Sequence, residues 1–273
     1  MFSHNTKPLI MGILNVTPDS FSDGGKYSGI NDALKQVERM LAEGVDIIDI
    51  GGESTRPGAD SVSVAEQQQR VIPVITAIRQ QLKSAILISI DTTSSAVAKA
   101  ALAAGVNLIN DVSAGQDDAA MLALVAQADV PIILMHSQGT PKTMQDNPYY
   151  KDVVQEVIDA LKNRIDAALK AGIKKENIAI DPGIGFGKRK QDNLDLLAHL
   201  DALVALGFPV LLGTSRKRFM GTLCDVTDPS DLVTATAVTT ALGVMAGVQI
   251  FRVHDVKENR QATDVAWAIM QSR

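Results

Sequence analysis

The feature that most constrains this chain is a repeat. A short apolar run stops at a polar residue, and a stretch with helical periodicity follows. Such runs cover residues 9–14, 45–50, 86–90, 106–109, 130–135, 178–180, 209–212 and 248–251. They are rich in Val and Ile and mostly apolar, as parallel strands covered on both faces are. The intervening segments 30–42, 64–81, 96–104, 117–126, 152–171, 193–206, 230–246 and 256–269 carry apolar residues at helical spacing. Eight strands alternating with eight helices fit a (β/α)8 TIM barrel. A doubly wound sheet also alternates. The count of eight, and the polar residue after nearly every run, favour the barrel. At 273 residues the chain suits one such domain, 1–273, with no shift of composition to mark a linker. Long flexible loops are expected after strand one (17–29) and strand two, with another polar loop over 137–150.

Composition narrows the function. Apolar residues make up 46% and aromatics only 4%, so the core is built from aliphatic side chains. Net charge is −5 with no basic block, which argues against nucleic acid or an anionic membrane as partner. No apolar run approaches 18 residues, and no charged segment followed by an apolar one opens the chain. The one cysteine, Cys224, suits a reducing cytoplasm. It stands in a polar stretch beside Asp225 and Asp228 and makes a poor nucleophile.

In a barrel the active site lies where the strands end. Those positions hold Asn15, the 53–58 loop, Asp91, Asn110, His136, Asp181, Ser215 with Lys217, and Arg252 with His254. One isolated Asp or Asn after a strand is an ordinary turn former or cap, and Asp111, Asp117 and Asp255 read that way. A whole ring of them is a site. Asp91, Asn110, Asp181 and Lys217 suit a flat heterocycle with amino and ring N–H donors, since carboxylates accept paired hydrogen bonds. Asn15, Arg252 and His254 come from strands one and eight, neighbours once the barrel closes, and suit an anion. The Asn15 carbonyl oxygen could meet Mg²⁺ arriving on phosphates. Met135 and Phe186 could line the ligand. The expected ligand is a heterocycle joined to a phosphate or pyrophosphate. The 181–187 glycine run matches neither a dinucleotide fingerprint nor a Walker loop, and the four histidines have no zinc-like spacing.

With those residues in place the chain closely resembles the dihydropteroate synthases along essentially its whole length. The resemblance rests on the runs beginning at Asn15 (NVTPDSFSDGG), Gly51 (GGESTRPG), Ser89 (SIDT), Asn110 (NDVS), Asp181 (DPGIGFGK), Ser215 (SRK) and Arg252 (RVHDV). It implies a transferase of folate biosynthesis that condenses 6-hydroxymethyl-7,8-dihydropterin pyrophosphate with 4-aminobenzoate, giving 7,8-dihydropteroate and pyrophosphate. It assigns Asp91, Asn110, Asp181 and Lys217 to the pterin pocket, with Met135 and Phe186 as apolar walls. Asn15, Arg252 and His254 fall to the pyrophosphate and Mg²⁺ site, with Thr55 reaching the phosphates. Phe21, Arg56, Pro57, Ser215 and Lys217 fall to the 4-aminobenzoate site, where sulfonamides are expected to compete. A homodimer is implied too. One departure is local: many relatives have a His before Asn193, where this chain has Asp192. The alternatives are a pterin-binding methyltransferase barrel, which has no use for the Arg252–His254 pair, and a non-catalytic pterin-binding protein, which should have lost polar strand ends.

Overall fold

The computed structural model describes residues 6–16, 25–54, 58–59, 61–82, 85–140, 142–144 and 146–272. Its strands are β1 (Leu9–Asn15), β2 (Ile47–Gly51), β3 (Leu87–Asp91), β4 (Leu108–Asp111), β5 (Ile132–Met135), β6 (Ile178–Asp181), β7 (Leu211–Leu212) and β8 (Ile250–Val253). They form one sheet in the order β6-β5-β4-β3-β2-β1-β8-β7, every pair parallel. A parallel bridge between Ile180 and Val210, with Ile180 N donating to the Pro209 carbonyl at 2.9 Å, joins the two ends into a barrel.

Two separate apolar clusters show how the barrel is filled. Alternate residues of a strand face opposite sides. Met11, Ile47, Leu108, Ile133, Ala179, Leu211 and Ile250 pack together inside the barrel. Their strand neighbours, such as Ile48, Ile109, Ile132 and Phe251, belong to the larger cluster between barrel and helices. The interior is therefore plugged by aliphatic side chains near the strand starts. The next inward positions, two residues further along each strand, form the floor of the open end.

The helices are α1 (Gly25–Ala42), α2 (Val64–Ala77), α3 (Ser95–Ala103), α4 (Met121–Ala128), α5 (Val153–Lys170), α6 (Lys190–Ala198), α7 (Leu200–Val204), α8 (Arg218–Cys224), α9 (Val233–Ala246) and α10 (Val256–Gln271). Ser63, Ser94 and Asp152 cap α2, α3 and α5 by accepting from the backbone N–H three residues on. Several boundaries differ from the pattern in the sequence. The first helix begins at Gly25 rather than 30, so the loop before it is shorter than expected. The fourth begins at Met121 rather than 117, because Asp118 accepts from Ser95 N at 2.8 Å and Ala120 N at 2.9 Å and holds a turn there. The expected 193–206 helix starts earlier, at Lys190, and breaks at His199 into α6 and α7. Its entry, where the chain departs from many relatives, is secured by Asp192, whose Oδ2 accepts from Arg189 N at 2.7 Å. A helix not anticipated at all, α8, ends at Cys224, which is exposed at a helix terminus rather than in a turn.

Candidate active site

Parity decides which polar side chains meet. Asn110 stands two residues after Leu108, Asp181 two after Ala179, Arg252 two after Ile250 and Met135 two after Ile133. Each partner belongs to the interior plug. Asn15 and Asp91 lie on the same inward faces of β1 and β3. The result is a polar floor over an apolar plug. The cavity above it has a volume of about 770 Å³, and its walls include Asn15, Ser54, Asn110, Met135, Asp181, Phe186, Ser215, Lys217, Arg252 and His254. That volume is in the range of small-molecule sites. Phe21, Thr55, Arg56 and Pro57 lie outside the described residues.

The two groups separated by chemistry in the sequence are one network in the fold. Arg252 donates from Nε to Asp49 Oδ2 and from Nη2 to Asp91 Oδ2, both at 2.6 Å. Asn110 Nδ2 donates to the same Asp49 oxygen at 3.2 Å. Asp91 is therefore engaged through Oδ2 with Arg252 and is not itself a wall of the cavity. Asp49 was not anticipated. Its signal was present: it is an acidic residue inside an apolar strand, two positions after Ile47 and so on the inward face. Burial works against the Arg252 cation, yet Asp49 and Asp91 outweigh it and hold its pKa above the ordinary value. Burial pushes Asp91 up, against the opposing pull of Arg252.

Asp181 and Lys217 face each other across the cavity's β6–β7 side. Burial raises Asp181 to about 6, against a 2.6 Å hydrogen bond from Gly183 N and the nearby Lys217, so its full acceptor capacity is present above about pH 6. Burial lowers Lys217 to about 8, helped by Arg252 and opposed by Asp181 and Asp91. The Lys217 Nζ sits 4.2 Å from the centre of the Phe186 ring, a cation–π contact that fixes both groups.

A second lysine lines the same part of the cavity. Lys188 is buried and donates to the carbonyls of Gly183 at 2.9 Å and Phe186 at 3.1 Å, and lies 2.9 Å from His136 Nδ1. Burial, then Lys188, lowers His136 to about 3, and burial lowers Lys188 to about 7. His136 is thus committed to the loop that carries Phe186, and it is not among the cavity walls. On the other side Ser215 Oγ receives a hydrogen bond from His254 N and lies 3.0 Å from His254 Nδ1. Arg216, at φ +57°, forms two bonds to Asp255, at 3.0 and 2.6 Å, and so locks the 215–217 turn against the start of α10. Asp255 stands at the N-cap position of α10, as expected, but its carboxylate pairs with Arg216 and makes no capping hydrogen bond. Asp111 does hold a turn, accepting from Ser113 N and Gly115 N. Glu53 ties its loop to α2 by accepting from Val62 N and Gln67 Nε2.

For a metal, Asn15 supplies an amide oxygen. Among the described residues no group of three His, Cys, Asp or Glu side chains could hold an ion. That donor set fits Mg²⁺ carried in by phosphates, which takes few protein ligands.

The chain also has close relatives among known proteins. The profile of the pterin binding enzyme family matches residues 11–254. A dihydropteroate synthase from Streptococcus pyogenes serotype M6 is 51% identical over 96% of this chain and 95% of its own length. Crystal structures of dihydropteroate synthases superpose closely. One from Clostridium difficile, obtained in the presence of pteroic acid, has a TM-score of 0.92 at 43% identity, covering 98% of this chain and 99% of the other. One from Yersinia pestis in a sulfonamide drug complex has a TM-score of 0.91 at 41% identity, covering all of both chains. By its polar floor, its barrel and these likenesses, the chain belongs to the pterin binding enzyme family, among the dihydropteroate synthases.

Proposed function

We infer that the chain condenses 6-hydroxymethyl-7,8-dihydropterin pyrophosphate with 4-aminobenzoate, giving 7,8-dihydropteroate and pyrophosphate. The observation that carries this reading is one cavity walled both by Asn110 and Asp181 and by Asn15, Arg252 and His254. The pterin ring lies against Asn110, Asp181 and Lys217, between Met135 and Phe186. The amide and carboxylate oxygens accept from the ring's amino and N–H donors, and Lys217 donates to a ring acceptor. The pyrophosphate lies toward Arg252 and His254, and the family resemblance assigns Thr55 to it as well. Asn15 would hold Mg²⁺, which when bound would supply positive charge that makes pyrophosphate a better leaving group. The methylene C–O bond breaks, pyrophosphate departs with its electron pair, and the arylamine nitrogen forms the new C–N bond and gives up a proton. Arg252 stabilises the charge that develops on the departing oxygens. The carboxylate of Asp91, beside Arg252, steadies positive charge on the pterin side. 4-Aminobenzoate is held by Ser215 and Lys217; the family resemblance assigns Phe21, Arg56 and Pro57 to the same substrate. Pyrophosphate release with both substrates tests the reading: none with or without Mg²⁺ removes it. A sulfonamide should inhibit competitively with 4-aminobenzoate.

Asn15 separates the two ends of the substrate. Asn15→Ala should weaken binding of the pterin pyrophosphate about ten-fold or more in the presence of Mg²⁺. It should leave binding of the pterin lacking pyrophosphate unchanged. Calorimetric titration of both compounds decides it, and equal losses would take Asn15 out of the pyrophosphate end.

The enzyme works as a homodimer in the cytoplasm, where the exposed Cys224 stays reduced. Support for the dimer comes from α9 and α10. Val238, Leu242, Val265 and Ile269 on these two helices are each more than half exposed, around a shallow apolar groove. Contiguous exposed apolar surface of this kind marks an interface. Sedimentation should give a particle of about twice the 29.0 kDa chain mass, and Leu242→Glu should halve it. A wild-type particle of single-chain mass would end this part of the reading.

A further inference from the structure

We propose that Asp49 is a positioning residue that sets the donor–acceptor sense of the pocket by fixing the orientation of the Asn110 amide. Asp49 is fully buried on the inward face of β2, in register with Ile13 on one side and Ser89 on the other. Barrel interiors are ordinarily filled at such positions by branched aliphatic residues. Here a carboxyl group stands instead, and only its Oδ2 is used. Asp49 Oδ1 and the neighbouring Ser89 Oγ are buried without a hydrogen-bond partner among the described residues. A buried polar atom left unpartnered is destabilising, so the Oδ1 side of this carboxyl group costs the fold something that an aliphatic side chain would not.

What Asp49 does provide is order in two other side chains. An amide has a donor end and an acceptor end, which are nearly the same shape. Asn110 Nδ2 donates to Asp49 Oδ2, and the same oxygen accepts from Arg252 Nε. Turning the amide over would set its carbonyl oxygen against a carboxylate oxygen. The donor end is thereby committed below the floor, and the acceptor end is what Asn110 offers to a ligand in the cavity it lines. With Asp181 the floor then presents acceptors to the ligand edge. It favours a heterocycle edge of amino and N–H donors over the same edge with an oxo group in place of the amino group. Asp49 touches no ligand in this account; it acts through Asn110.

The inference rests on the cavity being a pterin pocket, and the experiment separates the two. Lumazine has an oxo acceptor where pterin has its 2-amino donor, and the adjacent ring nitrogen N1 changes from acceptor to N–H donor. Wild-type protein should prefer pterin by about 10²-fold or more. In Asp49→Leu, which gives the Asn110 amide no acceptor below the floor, that preference should fall at least about ten-fold. The KM for 4-aminobenzoate should stay where it was. A merely structural role would lower the unfolding midpoint and leave the preference alone. Should the variant fail to fold, the wild-type protein still reports. One Asn110 side-chain amide proton, assigned by its loss in Asn110→Ser, should be slow to exchange with water because Asp49 holds it. Both protons exchanging at the solvent rate would overturn the proposal. So would an unchanged pterin-to-lumazine ratio in a folded Asp49→Leu. Wild-type protein that binds neither compound would overturn the pterin reading and this inference with it.

Discussion

Replacing Arg252 with alanine is expected to lower the rate of condensation by about 10²–10³-fold and to destabilise the fold by about 3–5 kcal/mol. Few single residues in this chain are asked to do both. The guanidinium bridges Asp49 and Asp91 with two 2.6 Å bonds, and both carboxyl groups are withdrawn from solvent. Removing the cation leaves two buried carboxyl groups with no shared counter-charge, the case in which breaking a buried pair is most damaging. The loss should depend on pH with a definite sign. Asp91 already has a raised pKa in the folded protein, and Arg252 is the largest influence holding it down. Without Arg252 the folded-state pKa rises further above the unfolded value. The variant then binds its proton more tightly folded than unfolded, so its stability is retained at low pH and lost as pH rises through the folded pKa. Urea midpoints at pH 5.5 and pH 8 should show the variant's deficit larger at pH 8. Arg252→Lys should recover part of the stability and less of the rate, because an ammonium cannot reproduce the two-armed geometry. A variant as stable as wild type at pH 8 would mean that the bridge does not hold the floor together.

That bridge also marks where the sequence is legible and where it is not. The strands are readable because a parallel barrel strand is buried on both faces and becomes an unbroken apolar run. The site residues are readable where a polar side chain interrupts that run at its end, as at Asn15, Asp181 and Arg252. Asp49 escapes this test because it interrupts a strand in its middle, where a charge looks like an ordinary exposed position of an alternating strand. The parity count from Ile47 would have found it, since β2 is too apolar on its other face for an outward Asp to be the alternative. Lys188 escapes for another reason. Its partners are the carbonyls of Gly183 and Phe186, and backbone groups leave no residue pattern to read. The short α7 and α8 follow tertiary packing rather than periodicity, which short helices are too brief to display.

The second large effect is expected from the smallest change. Gly183→Ala should destabilise the protein by about 4 kcal/mol or more and abolish pterin binding. Gly183 has φ +64°, a conformation that itself costs about 1–2 kcal/mol for a residue with a Cβ. The larger problem is space. An added Cβ would lie 1.9 Å from the His136 carbonyl oxygen and 3.0 Å from its carbonyl carbon. Both are backbone atoms at the end of β5, so no change of rotamer relieves the overlap. The loop after β6 must lift away from β5, and everything fastened to that contact moves with it. Asp181 Oδ1 loses the 2.6 Å bond from Gly183 N. The buried Lys188 ammonium loses the Gly183 carbonyl that it contacts at 2.9 Å. Phe186, which seats Lys217 at the cavity wall, is carried on the same loop. Gly207 provides the matched control: its φ is +74°, and an added Cβ there meets nothing within 4 Å. Gly207→Ala should therefore show the conformational cost alone, about 1–2 kcal/mol, with pterin binding intact. Urea denaturation and pterin titration of the two variants side by side separate overlap from strain. Equal losses of stability in both would show that the β5–β6 contact yields easily and that the loop does not depend on it.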